Sequence, residues 1–402
     1  MIRIFKIFII GLIAIAIGAT PAFAAHDGEE KGEIEAKEII FEHLGDGYGW
    51  EVPFNHHIRI PLPVIVKASD GFHVFMSSKV ADGKIYKTGD TEFILATPSI
   101  LASGKESKFK GKVVEIKKGA VLKDGKYTDD DLIKPSIDIS ITKNVAAIFI
   151  TIILVVSVML WLASYHRRHP FKAPRRGLGA IEALVSFVYD SVIKSTLGDK
   201  ARKFAPYLLT VFWFIFFMNL LGLVVVFPGG ANLTGNIAVT LVLAILTFLV
   251  TNIFATKHYW KEILWPDVPL WLKFPLPIMP MIEIFGMFTK PAALTVRLFA
   301  NMMGGHMIVI VLTLLIFIFA AINPVAGGAT TVVSVLFSIF MLLIDVLVSF
   351  IQAYVFTMLS TIFISLAQEH HEHKEEEKEK SKKENSNQAS TPAVTSASVA
   401  NN

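Results

Sequence analysis

The residues of this chain most able to do chemistry lie in two apolar runs. Glu283, Lys290, Arg297, Asn301 and His306 fall within Ile278–Ile322, and Asp345 and Gln352 within Thr330–Ala367. Ionisable groups are costly in such surroundings, so each is a functional candidate. Glu283, Lys290 and Arg297 are spaced by seven and share one stripe of a helix, and Asn301 sits on the same face one turn further on. His306 follows Arg297 by nine residues, which turns it to the opposite side of the helix, roughly 13.5 Å further along the axis. Asp345 and Gln352, also seven apart, share a face of the second helix.

The side chains divide into two roles. An arginine keeps its proton in a protein, so Arg297 cannot relay one. It can favour the ionised form of a carboxylate brought beside it, lowering that group's pKa and driving proton release. A fixed cation also blocks a direct proton leak along the same line. His306 and Asp345 can both change protonation in the working range, which suits a relay through a water-lined path. Ala292, Ala293, Ala300, Gly304 and Gly305 are small enough to let a neighbouring helix approach closely. The residues alone leave a plainer reading open, in which Arg297 and Asp345 simply neutralise one another inside a bundle.

Composition says what must position these groups. Of 402 residues, 53% are hydrophobic and 18% charged, with a mean hydropathy of +0.55. Soluble domains carry about 25% charge. The chain therefore reads as a multi-span membrane protein. A net charge of +4 is too small to imply a nucleic-acid partner. The absence of cysteine excludes disulfides, thiolate nucleophiles and Cys-ligated metal. No His-Glu-x-x-His motif occurs, and the dense histidines at His370, His371 and His373 belong to a polar tail, so no metal or cofactor is expected.

Residues 1–25 have Arg3 and Lys6, an apolar run and Ala22-Phe23-Ala24, the pattern of a secretory signal peptide rather than an uncleaved span. Residues 26–140 should then lie outside the cytoplasm. Short β-like runs at Ile58–Lys67, Phe72–Ser77, Glu92–Ala96 and Val113–Lys117 alternate with turn signals and predict a small β-rich module. His56, His57 and His73 read as surface residues rather than ligands. Val145–Ala163 is a first span, and His166, Arg167, Arg168, Lys172, Arg175 and Arg176 behind it mark the cytoplasmic side. Gly177–Lys203 predicts an amphipathic segment on that surface.

Ala205–Phe227 and Ile237–Thr256 are further spans, joined by the uncharged loop Pro228–Asn236. Trp265, Trp271 and Lys273 in the proline-rich stretch Pro266–Pro280 fit a membrane interface. The last two runs would each make a helix of roughly 55–65 Å, about twice the ~30 Å hydrocarbon core. Each is either two spans with a hidden turn or one steeply tilted helix. Weak internal turn signals, Pro291 and Gly304-Gly305, favour tilt. Residues 368–402 are too polar to bury a core and predict a disordered tail.

The fold expected is thus an all-α integral membrane protein over residues 141–367. It has five membrane-embedded helices, two of them long and steeply tilted, and a small β-rich extracytoplasmic N-terminal module.

A resemblance sharpens this. Thr289–Met302 (TKPAALTVRLFANM) is similar to the signature of the a subunit of rotary F-type ATP synthase, the stator half of its proton channel. Pro206–Leu223, Thr234–Ala244 and Phe350–Phe363 resemble the same family in the same order, so the likeness covers residues 140–367. It implies that Arg297 is the essential arginine facing the proton-carrying carboxylate of the rotating c ring. Asn301 would be the asparagine one turn away, Gln352 the glutamine beside that arginine, and Glu283 a carboxylate of the proton path, serving either half-channel. The best-known bacterial pattern has Glu where this chain has His306 and His where it has Asp345. The couple is exchanged rather than lost.

The resemblance further implies c-ring subunits, b subunits of the peripheral stalk and other ATP synthase subunits as partners. It implies a bacterial inner-membrane location with the N-terminal module periplasmic and the tail cytoplasmic. ATP chemistry would belong to other subunits. Lys67–Lys134 reads as an insertion on which the resemblance is silent. A secondary ion-coupled transporter is the alternative, but such proteins usually show internal repeats and none is found here.

Overall fold

The structure, a computed structural model, describes residues 46–52, 55–98, 100–102, 107–117, 119–120, 126–170, 172–174, 177–224, 233–264, 278–322 and 324–368. The signal-peptide segment 1–25, the tryptophan-bearing stretch 265–277 and the tail beyond 368 lie outside them.

The N-terminal module is built from short antiparallel strands. Gly49–Val52 (β1) pairs with Asn55–Pro61 (β2). Pro63–Ala68 (β3) lies between Gly71–Met76 (β4) and Ile137–Asp138 (β9). Tyr86–Thr88 (β5), Thr91–Leu95 (β6), Val113–Ile116 (β7) and Leu132–Ile133 (β8) form a third sheet in sequence order. The expected strands are present, except that Ile58–Lys67 is divided at Leu62 between β2 and β3, which belong to different sheets. The return of β9 to β3 closes the predicted insertion into the module, so Lys67–Lys134 folds within it.

Alternation decides which residues meet. Val64, Val66 and Phe75 point inward with Phe93 and Val113 to make one core, while Ile94, Leu101, Val114 and Leu132 make another. Gly89, at φ +61°, supplies the left-handed conformation that the two-residue turn between β5 and β6 needs. The Asp70 carboxylate crosslinks two turns by accepting from Thr91 Oγ1 at 3.3 Å and meeting His73 Nε2 at 2.6 Å. That imidazole contact holds the Asp70 carboxyl below its ordinary range. Glu115 is buried but satisfied, accepting from the Ser69 backbone N–H at 3.2 Å and from its hydroxyl.

Among the described residues, seven helices of eight residues or more follow. Lys143–Arg168 (α1) is capped by Thr142 and ends in His166, Arg167 and Arg168, whose charge suits a helix C-terminus. Gly177–Val188 (α2) runs through a π-helical stretch, Tyr189–Lys194, towards Ala201–Leu223 (α3). Ile237–Ile253 (α4) and Lys257–Leu264 (α5) precede Ile278–Ile322 (α6) and Pro324–Gln368 (α7). Among the described residues, four helical stretches are long and apolar enough to cross a membrane, and α4 is a shorter apolar helix of 17 residues.

Each of the last two runs is one unbroken helix of 45 residues, with no hidden turn. The second begins at Pro324, six positions before the Thr330 expected from the sequence, because proline is well tolerated in the first turn of a helix. The segment after α1 also differs from expectation. Leu178, Val188, Val192, Ile193 and Leu197 are buried in protein, Phe187 stacks on Tyr354 at 5.8 Å, and Ser365 Oγ donates to the Thr196 carbonyl at 3.2 Å. Its apolar face is therefore covered by α7 rather than left for lipid.

The core of the bundle gathers Phe204, Leu208, Phe212 and Ile215 of α3 with Leu294 and Leu298 of α6 and Ala353 and Phe356 of α7. Five buried hydroxyls are satisfied within their own helices: Thr151, Thr251, Thr295, Ser360 and Thr361 each donate to the carbonyl four residues earlier, whereas Thr357 Oγ1 finds no partner among the described residues. Trp50 packs with Ala147, Met218 and Leu233, and the Lys143 N–H donates to the Gly47 carbonyl at 2.8 Å, so the β module is seated on one end of the bundle. At the other end Thr256 is bonded to the Ala367 carbonyl through its N–H at 3.1 Å and its hydroxyl at 3.2 Å, and Lys200 Nζ reaches the Gln368 carbonyl at 3.0 Å.

Phe93 is fully buried where the sheets of the module meet. Phe93→Ala is expected to cost the module about 3–5 kcal/mol. Limited proteolysis of the protein in liposomes during a temperature ramp should show earlier cleavage within residues 46–140, with the helical bundle still protected.

Candidate functional site

The antiparallel pair α6 and α7 carries all the residues singled out above, and one contact sets its register. A Cβ built on Gly305 would lie 2.7 Å from Asp345 Oδ1 and 3.2 Å from its carboxyl carbon, so the carboxylate rests on bare backbone. Moving seven residues back along α6 and seven forward along α7 brings Leu298, the neighbour of Arg297, level with Gln352. Farther along the same line Lys290 Nζ lies over the Phe363 ring at 5.5 Å. That contact stands 15 residues back along α6 and 18 forward along α7, an offset of three that the long lysine side chain spans.

Arg297 is exposed, turned roughly 100° around α6 from Leu298 and so off to the side of that register seam. Val296, Arg297, Ala300 and Asn301 are exposed with Ala293, while Leu294, Thr295, Leu298 and Met302 are buried. The result is a shallow stripe of small side chains with one cation and one amide. Among the described residues Arg297 has no carboxylate within 4.0 Å, and Asp345 is seated eight residues away, ~12 Å along the axis. The neutralised-pair reading is thus not what the bundle builds. Gln352 is 7% exposed, and its Nε2 has no hydrogen-bond partner. His306 follows Gly305 on α6, which puts its backbone level with Asp345; its side chain is outside the described residues.

Towards the end of the bundle remote from the β module, α4, α5, α6 and α7 surround a cleft. Thr247, Thr251, Asn252, Tyr259, Lys290 and Phe363 are among the residues lining it. Asn252 Oδ1 is buried there without a partner. Glu283 is exposed nearby, and burial together with the Glu283 charge pushes the Tyr259 phenol above its ordinary range.

Sequence reasoning brought forward Glu283, Arg297, Asn301, Asp345 and Gln352 but missed Asn219. That residue is 2% exposed within α3, with Oδ1 unpartnered. An asparagine inside an otherwise apolar span was the signal that could have found it. Asn252 and Tyr259 carried no such signal, because they stand at a helix end and in a polar segment. Among the described residues no cluster of His, Asp and Glu could hold a metal ion.

Ionisable and amide groups strung along two facing apolar helices, each longer than a bilayer is thick, define a multi-pass membrane protein whose function lies within the bundle. The family described as ATP synthase A chain matches residues 145–365, more than half of the chain. ATP synthase subunit a of Chlorobium phaeobacteroides is 43% identical over 242 residues, covering 58% of this chain and 67% of the relative. ATP synthase subunit a 2 of Chlorobaculum tepidum is 43% identical over 245 residues, covering 58% of this chain and 65% of the relative. ATP synthase subunit a of Myxococcus xanthus is 41% identical over 246 residues, covering 58% and 76%. A domain of unknown function matches residues 39–132, the β module.

The chain belongs to the ATP synthase A chain family, and so to the membrane sector of an F-type ATP synthase.

The Gly305 contact makes a sharp contrast available. Gly305→Ala should push the Asp345 carboxylate aside, because the clashing atom is the end of a side chain and moves more easily than a helix. Gly304→Ala meets nothing within 4 Å. ATP-driven proton uptake in inverted vesicles should fall by up to about 100-fold in the first variant, the scale that a ~1 Å misplacement can cost. It should stay near wild type in the second, with both complexes assembled.

Proposed function

We propose that this chain is the proton-conducting stator of the complex, passing protons through two offset half-channels to and from the carboxylates of a rotating c ring. The observation that carries the reading is the exposed Arg297 stripe, flanked along α6 by the Asp345 seat on one side and the Lys290 cleft on the other. A rotor helix fits a face of alanine, glycine and asparagine because small side chains permit close approach. In this reading five helices embed in the membrane, and α6 and α7 lie steeply tilted along the ring.

The β module marks the periplasmic side. The opposite end carries Arg167, Arg168, Arg202, Lys203, Lys257 and Lys261, the excess of basic residues typical of cytoplasmic ends. A proton enters from the periplasm, passes the His306 and Asp345 couple and neutralises a ring carboxylate. The neutral site can then rotate into lipid. When the carboxylate returns, the Arg297 guanidinium favours its ionised form, and the proton leaves to the cytoplasm. The Thr247, Asn252 and Lys290 cleft, with Glu283 at its margin, supplies polar groups on the exit side. Glu283 accordingly serves the cytoplasmic half-channel.

Gln352 and Asn301 position the arginine and the water around it. Arg297 never releases its proton, so it separates the two half-channels while remaining charged. The subunit performs no ATP chemistry of its own. It works with c-ring subunits, the b subunits of the peripheral stalk and the remaining ATP synthase subunits in the bacterial inner membrane, and uses no metal or cofactor.

Arg297→Ala should abolish ATP-driven proton uptake in inverted vesicles while the other subunits still co-purify; normal pumping would sink the proposal. The exchanged couple yields a second test. His306→Glu alone and Asp345→His alone should each impair pumping, and the double variant, which recreates an acid and an imidazole in swapped positions, should recover much of it. A double variant no better than either single would remove the couple from the path.

A further inference from the structure

The β4-β3-β9 sheet has one face committed to the module core and one left bare by the described residues. Register fixes the bare face: Lys67 pairs with Phe72 and with Ile137, Ile65 with Val74, and Pro63 with Met76. Phe72, Val74 and Ile139 are 63%, 68% and 61% exposed, and Met76 and Ile137 are also exposed. The inward residues of the same strands, Val64, Val66 and Phe75, are buried. A sheet with one solvated face normally presents polar side chains there. This one presents five large apolar chains and a lysine whose amine lies over the Phe72 ring at 5.5 Å.

The face is continuous with a helix that crosses the membrane. The Ile139 N–H donates to the Ile65 carbonyl and the Ile141 N–H to the Pro63 carbonyl, so the outward stripe runs from Ile137 through Ile139 to the start of α1 at Lys143. Four residues of extended chain reach at most ~14 Å. A 26-residue helix is ~39 Å long, more than the ~30 Å core, so its ends stand among the headgroups. The bare face is thus tethered within reach of the interface, and Phe149, Ile153 and Leu160 continue an exposed apolar surface down α1.

We propose that this sheet face rests on the outer surface of the bilayer, its apolar side chains at the boundary between headgroups and acyl chains and the Lys67 amine reaching lipid phosphate. A bilayer is favoured over a protein because it is held next to the face by the chain itself and needs no separate encounter. A lysine stem laid along apolar surface with its amine free suits the headgroup layer. The contact braces the β module against the membrane beside the outer ends of α1 and α3, and it does not depend on the proton-channel reading.

The chain has no cysteine, so single labels are clean. Val74→Cys and, on the other sheet, Lys87→Cys would be labelled with an environment-sensitive nitrobenzoxadiazole dye in the whole complex reconstituted in liposomes. Lys87 is 70% exposed in its side chain. The expected result is blue-shifted emission at position 74, quenched by nitroxides carried high on the lipid acyl chains, with water-like emission and iodide quenching at position 87. Blue-shifted emission at 74 that lipid nitroxides leave unchanged would mean that protein covers the face, either another subunit or the residues before 46, and would overturn the proposal. Water-like emission at 74 would overturn it equally.

Discussion

Hydrocarbon tolerates a charged or strongly polar group only where the surrounding helices make room for it, and the room in this bundle begins at Gly305. With no Cβ on α6 at that point, the Asp345 carboxylate of α7 can lie directly on backbone. Two 45-residue helices have many registers in which apolar side chains could interdigitate. A carboxylate that fits at one position selects among them. Once it is seated, Gln352 comes level with Leu298, the Lys290 side chain reaches the Phe363 ring, and Arg297 is turned outward, away from every carboxylate among the described residues. The separation of Arg297 from Asp345 follows from this seat.

In the proposed reading, that separation gives the site its chemistry. An arginine paired inside the bundle would be spent on neutralising its partner, whereas an exposed one is available to a carboxylate arriving from outside. Several buried polar atoms find no partner among the described residues, Asn219 Oδ1, Asn252 Oδ1 and Gln352 Nε2 among them, which is unusual for native packing; they are spread along the bundle from the end that carries the β module to the cleft at the far end. Their cost is carried by the wide apolar contact of α3 with α6 and α7 around Leu208, Phe212, Leu298 and Phe356.

The β module obeys the opposite economy. Its polar groups are nearly all matched, even the buried Glu115, and its apolar core is conventional. What sets it apart is a sheet face whose alternation has been kept while its polarity has been lost. Trp50 and the bonds from the Lys143 N–H to the Gly47 carbonyl and from the Asn144 N–H to the Asp46 carboxylate fasten it to the bundle, so its placement is part of the same structure. The module is therefore positioned by the membrane half of the chain.

Much of this could be read from residue order alone. The two long helices were legible because apolar residues continue unbroken for about twice the length a membrane needs, and the strands because apolar and polar residues alternate between clear turn signals. Glu283, Arg297, Asn301, Asp345 and Gln352 stood out because polar groups in an apolar run are conspicuous one residue at a time. Tertiary structure decided what such local signals cannot hold. The burial of Ile193 and Leu197 with Phe356 and Ile364 of α7, the return of Ile137 to Lys67 across the module, and the meeting of Asp345 with Gly305 all join residues far apart in the chain. A hydrophobic pattern states that a face will be covered; only packing, through the volume a missing Cβ leaves and the register it permits, states by what.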